Sequence, residues 1–197
     1  LHIKSNGAVS YNAATDLDGE SFLTLEGTSA DGEAAMIRWA NHGGMNNYFG
    51  VTQVGSSGQG DFVWTSYNGS AYAERMRLDK NGNVGIGVTP EAWHSNAKAL
   101  QVGDLGGLWI YDDNSNPEQL HLSENVYNNG EERYIQSDYA SSHQQRSGVH
   151  TFKVAASGTA DAAISWNSAL TIDNSGNVGI GVSNPSDYYA KDLVVTG

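Results

Sequence analysis

The chain is predicted to be all-β, built of tandem β-modules joined by Gly-rich hairpins, and three observations point there. Charged residues make up only 16% of it and Gly reaches 24 against 3 Pro, so its turns are built on Gly, Asn, Asp and Ser. Short apolar runs of strand length recur between those turn residues. A long motif also occurs twice: Leu78-Asp79-Lys80-Asn81-Gly82-Asn83-Val84-Gly85-Ile86-Gly87-Val88-Thr89-Pro90 returns 94 residues later as Ile172-Asp173-Asn174-Ser175-Gly176-Asn177-Val178-Gly179-Ile180-Gly181-Val182-Ser183-Asn184-Pro185.

The apolar runs that read as strands are 21–25, 34–39, 48–54, 62–67, 107–111, 132–136, 149–154 and 162–166. Nothing sustains a 3.6-residue period over three turns. Residues 71–78 come nearest to a helix, yet their equivalents at 167–172 read as a strand, so both are assigned as strands.

Within the repeated motif, Asn81-Gly82 and Ser175-Gly176 lie between β-prone runs, and Gly supplies the positive φ of a hairpin turn. Side chains alternate along the strand that follows. Val84, Ile86 and Val88 therefore share one face while Gly85 and Gly87 leave the other bare, and Val178, Ile180, Gly179 and Gly181 repeat the pattern. Bare strand positions suit close approach of another backbone or a ring. The expectation is three chains wound round one axis, with a partner chain on the aliphatic face and a neighbour against the Gly face.

Flanking matches set the organisation. Lys98-Ala99-Leu100-Gln101-Val102 corresponds to Lys191-Asp192-Leu193-Val194-Val195, and Leu1-His2-Ile3 looks like the same element. Between the anchors, Leu23-Thr24-Leu25 pairs with Leu120-His121-Leu122, Met36-Ile37 with Tyr134-Ile135, and Phe62-Val63-Trp64 with Phe152-Lys153-Val154. This divides the chain into a first module over 1–97, a second over 98–192, and the start of a third at 193–197.

Ten Lys plus Arg against 22 Asp plus Glu leave a net charge of −12, which disfavours nucleic acid as a partner. No apolar stretch approaches the length of a membrane span, and the N-terminal residues lack the pattern of a signal peptide. The absence of Cys removes disulfide frameworks and thiolate metal sites.

The segments 78–90 and 172–185, each followed by a short Trp- or Tyr-bearing loop and then Leu-x-Val, resemble the "GNVGIG" modules of bacteriophage tail fibres and related virion adhesins. The resemblance implies a segment from the distal part of a long homotrimeric fibre, extracellular on the virion. Its partners would be its own copies, neighbouring fibre segments, and a host-surface glycan or outer-membrane protein. Such fibres often precede a self-cleaving chaperone domain, and nothing in the chain resembles one.

Signs of catalysis are weak. Gly85-x-Gly87 lacks the third Gly and the following helix of a dinucleotide fingerprint. Asp16-Leu17-Asp18-Gly19-Glu20 and Asp112-Asp113-Asn114-Ser115-Asn116 lack the remaining EF-hand positions, so turn chemistry explains them and Ca²⁺ is not expected. The six His form no H-x-x-x-H pair, and no G-x-S-x-G elbow exists. No carboxylate pair stands out for glycoside hydrolysis. No catalytic residue, metal or cofactor is assigned, and the chain is expected not to be an enzyme. A polysaccharide-depolymerising spike and a shaft without receptor contact are the alternatives.

Trp39, Trp64, Trp109 and Trp166 are expected in the core. Trp93 and Tyr188-Tyr189 occupy equivalent inter-module loops and are expected to pack over the Gly face. Receptor contact is expected instead from loops that differ between the copies, at 41–48, 55–60 and 139–148. The candidate residues there are His42, Asn46, Tyr48, Ser56, Gln59, Tyr139, His143 and Gln145, while Gly82, Val84, Gly85, Ile86, Gly87 and Gly176, Val178, Gly179, Ile180, Gly181 form the structural repeat.

Overall fold

The computed structural model describes residues 34–40, 46–54, 59–112, 118–187 and 194–195, and among them the chain is all-β. In chain order the strands are β1 (Ala34–Ala40), β2 (Asn46–Gln53), β3 (Gly60–Tyr67), β4 (Tyr72–Leu78), β5 (Val84–Ile86), β6 (Ala97–Val102), β7 (Gly106–Tyr111), β8 (Gln119–Glu124), β9 (Val126–Asn128), β10 (Glu132–Tyr134), β11 (Ala140–Arg146), β12 (Val149–Ala155), β13 (Asn167–Ile172), β14 (Val178–Ile180) and β15 (Val194–Val195). All but β9 and β10 join one 13-stranded sheet in sequence order, and those two pair as a separate hairpin. Neighbours are antiparallel except β5/β6 and β14/β15, which are parallel.

The two copies of the motif fold alike, bond for bond. In the first, Asp79 Oδ1 accepts the N–H groups of Asn81 (2.8 Å) and Asn83 (2.7 Å), Asp79 Oδ2 accepts from Asn83 Nδ2 (3.0 Å), and Gly82 takes φ +86°. In the second, Asp173 accepts from Ser175 (2.9 Å), Asn177 N–H (2.9 Å) and Asn177 Nδ2 (2.8 Å), with Gly176 at φ +85°. These bonds hold the Asp173 carboxyl below its usual range, with the Asn177 side chain as the largest cause. Gly at the left-handed position is what the turn demands.

The strand after each turn is shorter than its sequence pattern suggests. β5 stops at Ile86, and Gly87 turns away at φ +70°, donating its N–H to the Arg75 carbonyl (2.8 Å); Gly181 does the same at φ +73° to Ala169 (3.0 Å). The bare face is also filled from within the chain. A Cβ on Gly85 would collide with the Val88 carbonyl oxygen and lie 2.8 Å from Pro90 Cδ, and one on Gly179 would collide with Val182 Cγ2 and lie 2.9 Å from Pro185 Cγ. The proline that closes each motif folds back over the glycine, so no neighbouring strand is needed there.

Outward from the two turns the registers continue to match. Trp64 faces Met76 and Phe152 faces Leu170, with a bulge after each; Phe49 faces Trp64 as His143 faces Phe152; Ile37 faces Phe49 as Leu122 faces His143. The sequence matches between the anchors are therefore displaced. Phe62-Val63-Trp64 is equivalent to His150-Thr151-Phe152, and β1 to β8 rather than to β10, because β9, β10 and the segment 156–166 are inserted between the sheet strands.

The runs at 34–39, 48–54, 62–67, 107–111 and 149–154 are strands, as is 72–78, whereas 21–25 lies outside the described residues. Two expectations fail. Residues 162–166 are irregular: their backbone is pinned to β10 by an Arg133/Ala163 bridge and by Ile164 N–H donating to Glu132 O (2.9 Å), and the strand starts only at Asn167. The stretch 139–148, read as a loop that differs between the copies, is mostly β11, paired on both sides by β8 and β12.

The core lies on one side of the sheet. Ala97, Ala99 and Trp109 from β6 and β7 are buried beneath Trp93, Val126, Tyr127 and Tyr134, with Ala140 and Ala155 beside them. Trp93 packs on Trp109 at 5.6 Å between ring centroids and meets Tyr127 edge-on at 6.4 Å. The expected packing role of Trp93 thus falls over Gly107, where a Cβ would lie 3.9 Å from its Cη2. Trp166 is half-buried at the core margin, and Trp64 lies on the opposite face, stacked on Phe49.

Candidate functional site

Alternation along β6, β7 and β8 buries Ala97, Ala99, Gln101, Trp109, His121 and Ser123, and turns Leu100, Val102, Leu108, Ile110, Leu120 and Leu122 outward. The usual arrangement, apolar in and polar out, is inverted. The registers extend this open face across the sheet: Phe62–Leu78–Val84–Leu100–Leu108–Leu122–His143–Phe152–Leu170–Ile180 is one continuous cross-strand row. Leu122 is 62% exposed and Val102 52%. Phe62, Ile86, Leu108, Ile110, Phe152, Val154 and Ile180 are likewise exposed on it, a continuous apolar surface of the kind that marks an interaction site. Three hollows, of about 380, 400 and 290 Å³, indent it beside Leu120, Leu122 and Leu108.

The covered face carries the polar chemistry, most of it hydrogen-bonded within the face, while the buried Thr171 Oγ1 has no hydrogen-bond partner. His121 stacks on Trp109 at 3.7 Å, with Ser142 Oγ 3.3 Å from Nδ1 and Gln119 Oε1 3.2 Å from Nε2. Gln144 Nε2 also lies 3.3 Å from Nε2, so each ring nitrogen of His121 has a polar partner in either neutral tautomer. Burial, with a smaller contribution from the Lys153 charge, holds His121 down at about 3, so Glu132 at 3.9 Å faces a neutral ring rather than an ion-pair partner. Glu132 instead accepts from the Trp166 indole. Tyr127 donates to Asp161 at 2.8 Å, and burial together with that bond pushes its phenol up to about 12. These bonds tie the β9–β10 hairpin and the 156–166 segment into a cap over the sheet; the groups act as structural members.

The sequence-predicted contact residues do not converge. His42 and Ser56 lie outside the described residues. Asn46 opens β2, Tyr48 follows in the same strand, and Gln59 ends the connection to β3, where its carbonyl accepts from Val54 N–H at 2.9 Å. Tyr139 is exposed just ahead of β11. His143 and Gln145 stand on β11, on the open apolar face. The structural glycines Gly82, Gly85, Gly87, Gly176, Gly179 and Gly181 hold the turns described above, and Ile86 and Ile180 belong to the open face while Val84 and Val178 are half-buried in it.

Tyr48 has company that sequence reasoning missed. Tyr72 meets it edge-on at 5.4 Å and Tyr67 lies 5.1 Å from Tyr72. The latter two are exposed, joined by a turn in which Asn68 Oδ1 accepts from Ser70 and Ala71 N–H. The available signal was the spacing of Tyr67 and Tyr72 about an Asn-Gly turn, which sets them opposite each other in a hairpin.

Among the described residues no three His, Asp or Glu gather as a metal site, and no helix is long and apolar enough to cross a membrane. No family model matches the chain, and no curated protein is significantly similar to it.

Proposed function

We propose that the chain is a structural and host-adhesion segment of a bacteriophage tail fibre, acting as an intertwined homotrimer that buries the open sheet faces of three copies against one another. The observation that carries this reading is the open face itself. Burying large apolar side chains such as Leu122, Val102, Leu108 and Phe62 against neighbouring copies removes that surface from water, which drives association. Copies of the same chain are natural occupants because the row from Phe62 to Ile180 is largely apolar and so complementary to itself. The resemblance of segments 78–90 and 172–185 to tail-fibre modules supports the same reading.

Adhesion is assigned to the connection between β2 and β3 at one end of the first strand set and to Tyr67 and Tyr72, backed by Tyr48, at the other, since the exposed rings of Tyr67 and Tyr72 suit stacking on sugar faces. Incubating the purified chain with envelopes from candidate host bacteria tests this. Saturable binding without release of reducing ends is the expected result. Released reducing ends would make the chain a depolymerase, and binding to none of the envelopes would reduce it to a shaft.

A further inference from the structure

Several polar residues interrupt the open face, Lys98, Glu124 and Gln145 among them, and one interruption is specific. In the first strand set three rings stack across β2 and β3: Phe49 lies 4.8 Å from Trp64 and 5.9 Å from Phe62. At the register-equivalent positions of β11 and β12 the same stack is made by His143, Phe152 and His150, with His143 4.3 Å from Phe152 and 5.4 Å from His150. Two phenyl rings have become two imidazoles without a change in the stack. His143 Nε2 and His150 Nδ1 approach to 3.2 Å.

We propose that His143 and His150 chelate a divalent late transition ion, with Zn²⁺ as the reference case, within a single chain. Two nitrogens each about 2.05 Å from a tetrahedral ion are separated by about 3.3 Å, so the pair already stands at chelating distance. The antiparallel pairing of β11 with β12 fixes both Cα positions, and the flat ring of Phe152 backs His143, so little side-chain entropy is left to lose on binding. Coordination needs a lone pair on both facing nitrogens. The ring that donates in the His143–His150 hydrogen bond moves its proton to its other nitrogen, leaving His143 protonated on Nδ1 and His150 on Nε2, and each ring stays neutral. Two imidazoles select Zn²⁺, Ni²⁺ or Cu²⁺ over Ca²⁺ or Mg²⁺, which require oxygen ligands. Among the described residues no third His or carboxylate joins the cluster, so in the single chain, before copies close over the face, water completes the shell.

Sequence spacing could not show this pair: they stand seven positions apart, and the two-residue Ser147-Gly148 turn, with φ +51° and +77°, folds one ring onto the other. The chelate needs no second copy, so it stands or falls apart from the trimer.

The test is a Zn²⁺ titration of the whole chain followed through the imidazole ¹⁵N resonances. The expected result is saturation at one ion per chain, with the coordination shift on Nε2 of His143 and Nδ1 of His150. His143→Phe and His150→Phe copy Phe49 and Phe62; each should weaken binding by about 100-fold, the upper end of what losing even a supporting partner costs. His143→Gln serves if the phenylalanine variant fails to fold. Unmoved resonances of these two rings, or binding that survives in the double variant, would overturn the proposal.

Discussion

Strands β1–β5 and strands β8, β11–β14 are built on the same registers and end in the same Asp-anchored turn, yet they carry different attachments. The second set inserts β9–β10 and the 156–166 segment at one end of the sheet, and these fold into a cap over Trp109 and His121. At that end the first set has, among the described residues, the short Asn68–Ala71 turn, with the β1–β2 connection at 41–45 lying outside them, and Tyr67 and Tyr72 stay open. At the other end the difference reverses: β11 and β12 are joined by Ser147-Gly148 alone, whereas β2 and β3 are joined by the whole stretch 54–59. The scaffold is held constant while the connections vary, and variable connections are where recognition can diverge without cost to the sheet.

The comparison is broken most severely by removing the cap's anchor. Trp109→Ala leaves a cavity under Trp93 and should cost about 3–5 kcal/mol in urea unfolding, while Tyr72→Ala in the uncapped set should stay within about 0.5 kcal/mol. Similar losses from the two would mean the cap contributes nothing special.

Equivalence of the turns is sharpened by Gly85→Ala and Gly179→Ala, each expected to cost about 1–3 kcal/mol from crowding. Gly85 should be the costlier site, because its new Cβ meets a backbone oxygen where that of Gly179 meets a side chain. A neutral result at either position would contradict the fold-back of Pro90 or Pro185.

Acid should separate the sets as well, since His121 belongs to the capped one. Unfolded, its imidazole titrates near the ordinary value of about 6.5; folded, burial holds it at about 3. Between those values the unfolded chain binds the extra proton. The stabilisation is complete above about pH 6.5 and is lost as pH falls, by up to about 1.4 kcal/mol per pH unit. Urea midpoints measured from pH 7 to 5 for the natural chain and His121→Gln should diverge, the variant lacking this part of the slope. The smallest effect on stability is expected from replacing 54–59 by Ser-Gly, within about 0.5 kcal/mol, accompanied by loss of envelope binding.

Much of the scaffold was legible because it rests on local chemistry. Gly at the left-handed turn position, Asp ahead of it, and alternating aliphatic residues are visible in the motif, and each does in the fold what its chemistry suggests. The parallel pairing of Gly85 with Gln101 and of Gly179 with Val194 also follows the flanking match. What was illegible is non-local. The polar run from Ala140 to Arg146 reads as a loop that differs between the copies, whereas Ser142 and Gln144 are buried by hydrogen bonding to His121 and Gln119. Pro90 and Pro185, visible in the sequence only as the last residues of the repeated motif, cover the glycines by a fold-back that alternation cannot reveal. The Tyr67–Tyr72 cluster and the His143–His150 pair depend on which strands meet, and no spacing rule for a single segment contains that.

The central claim is that the open apolar face is an interface between copies of this chain, and the solution molar mass from light scattering tests it most directly. The expected result is a stable species near three times the 21.0 kDa of one chain, shifted toward 21.0 kDa by Leu122→Asp, whose carboxylate would be buried unpaired in the assembly. A folded monomer of 21.0 kDa with its β-structure intact would contradict it.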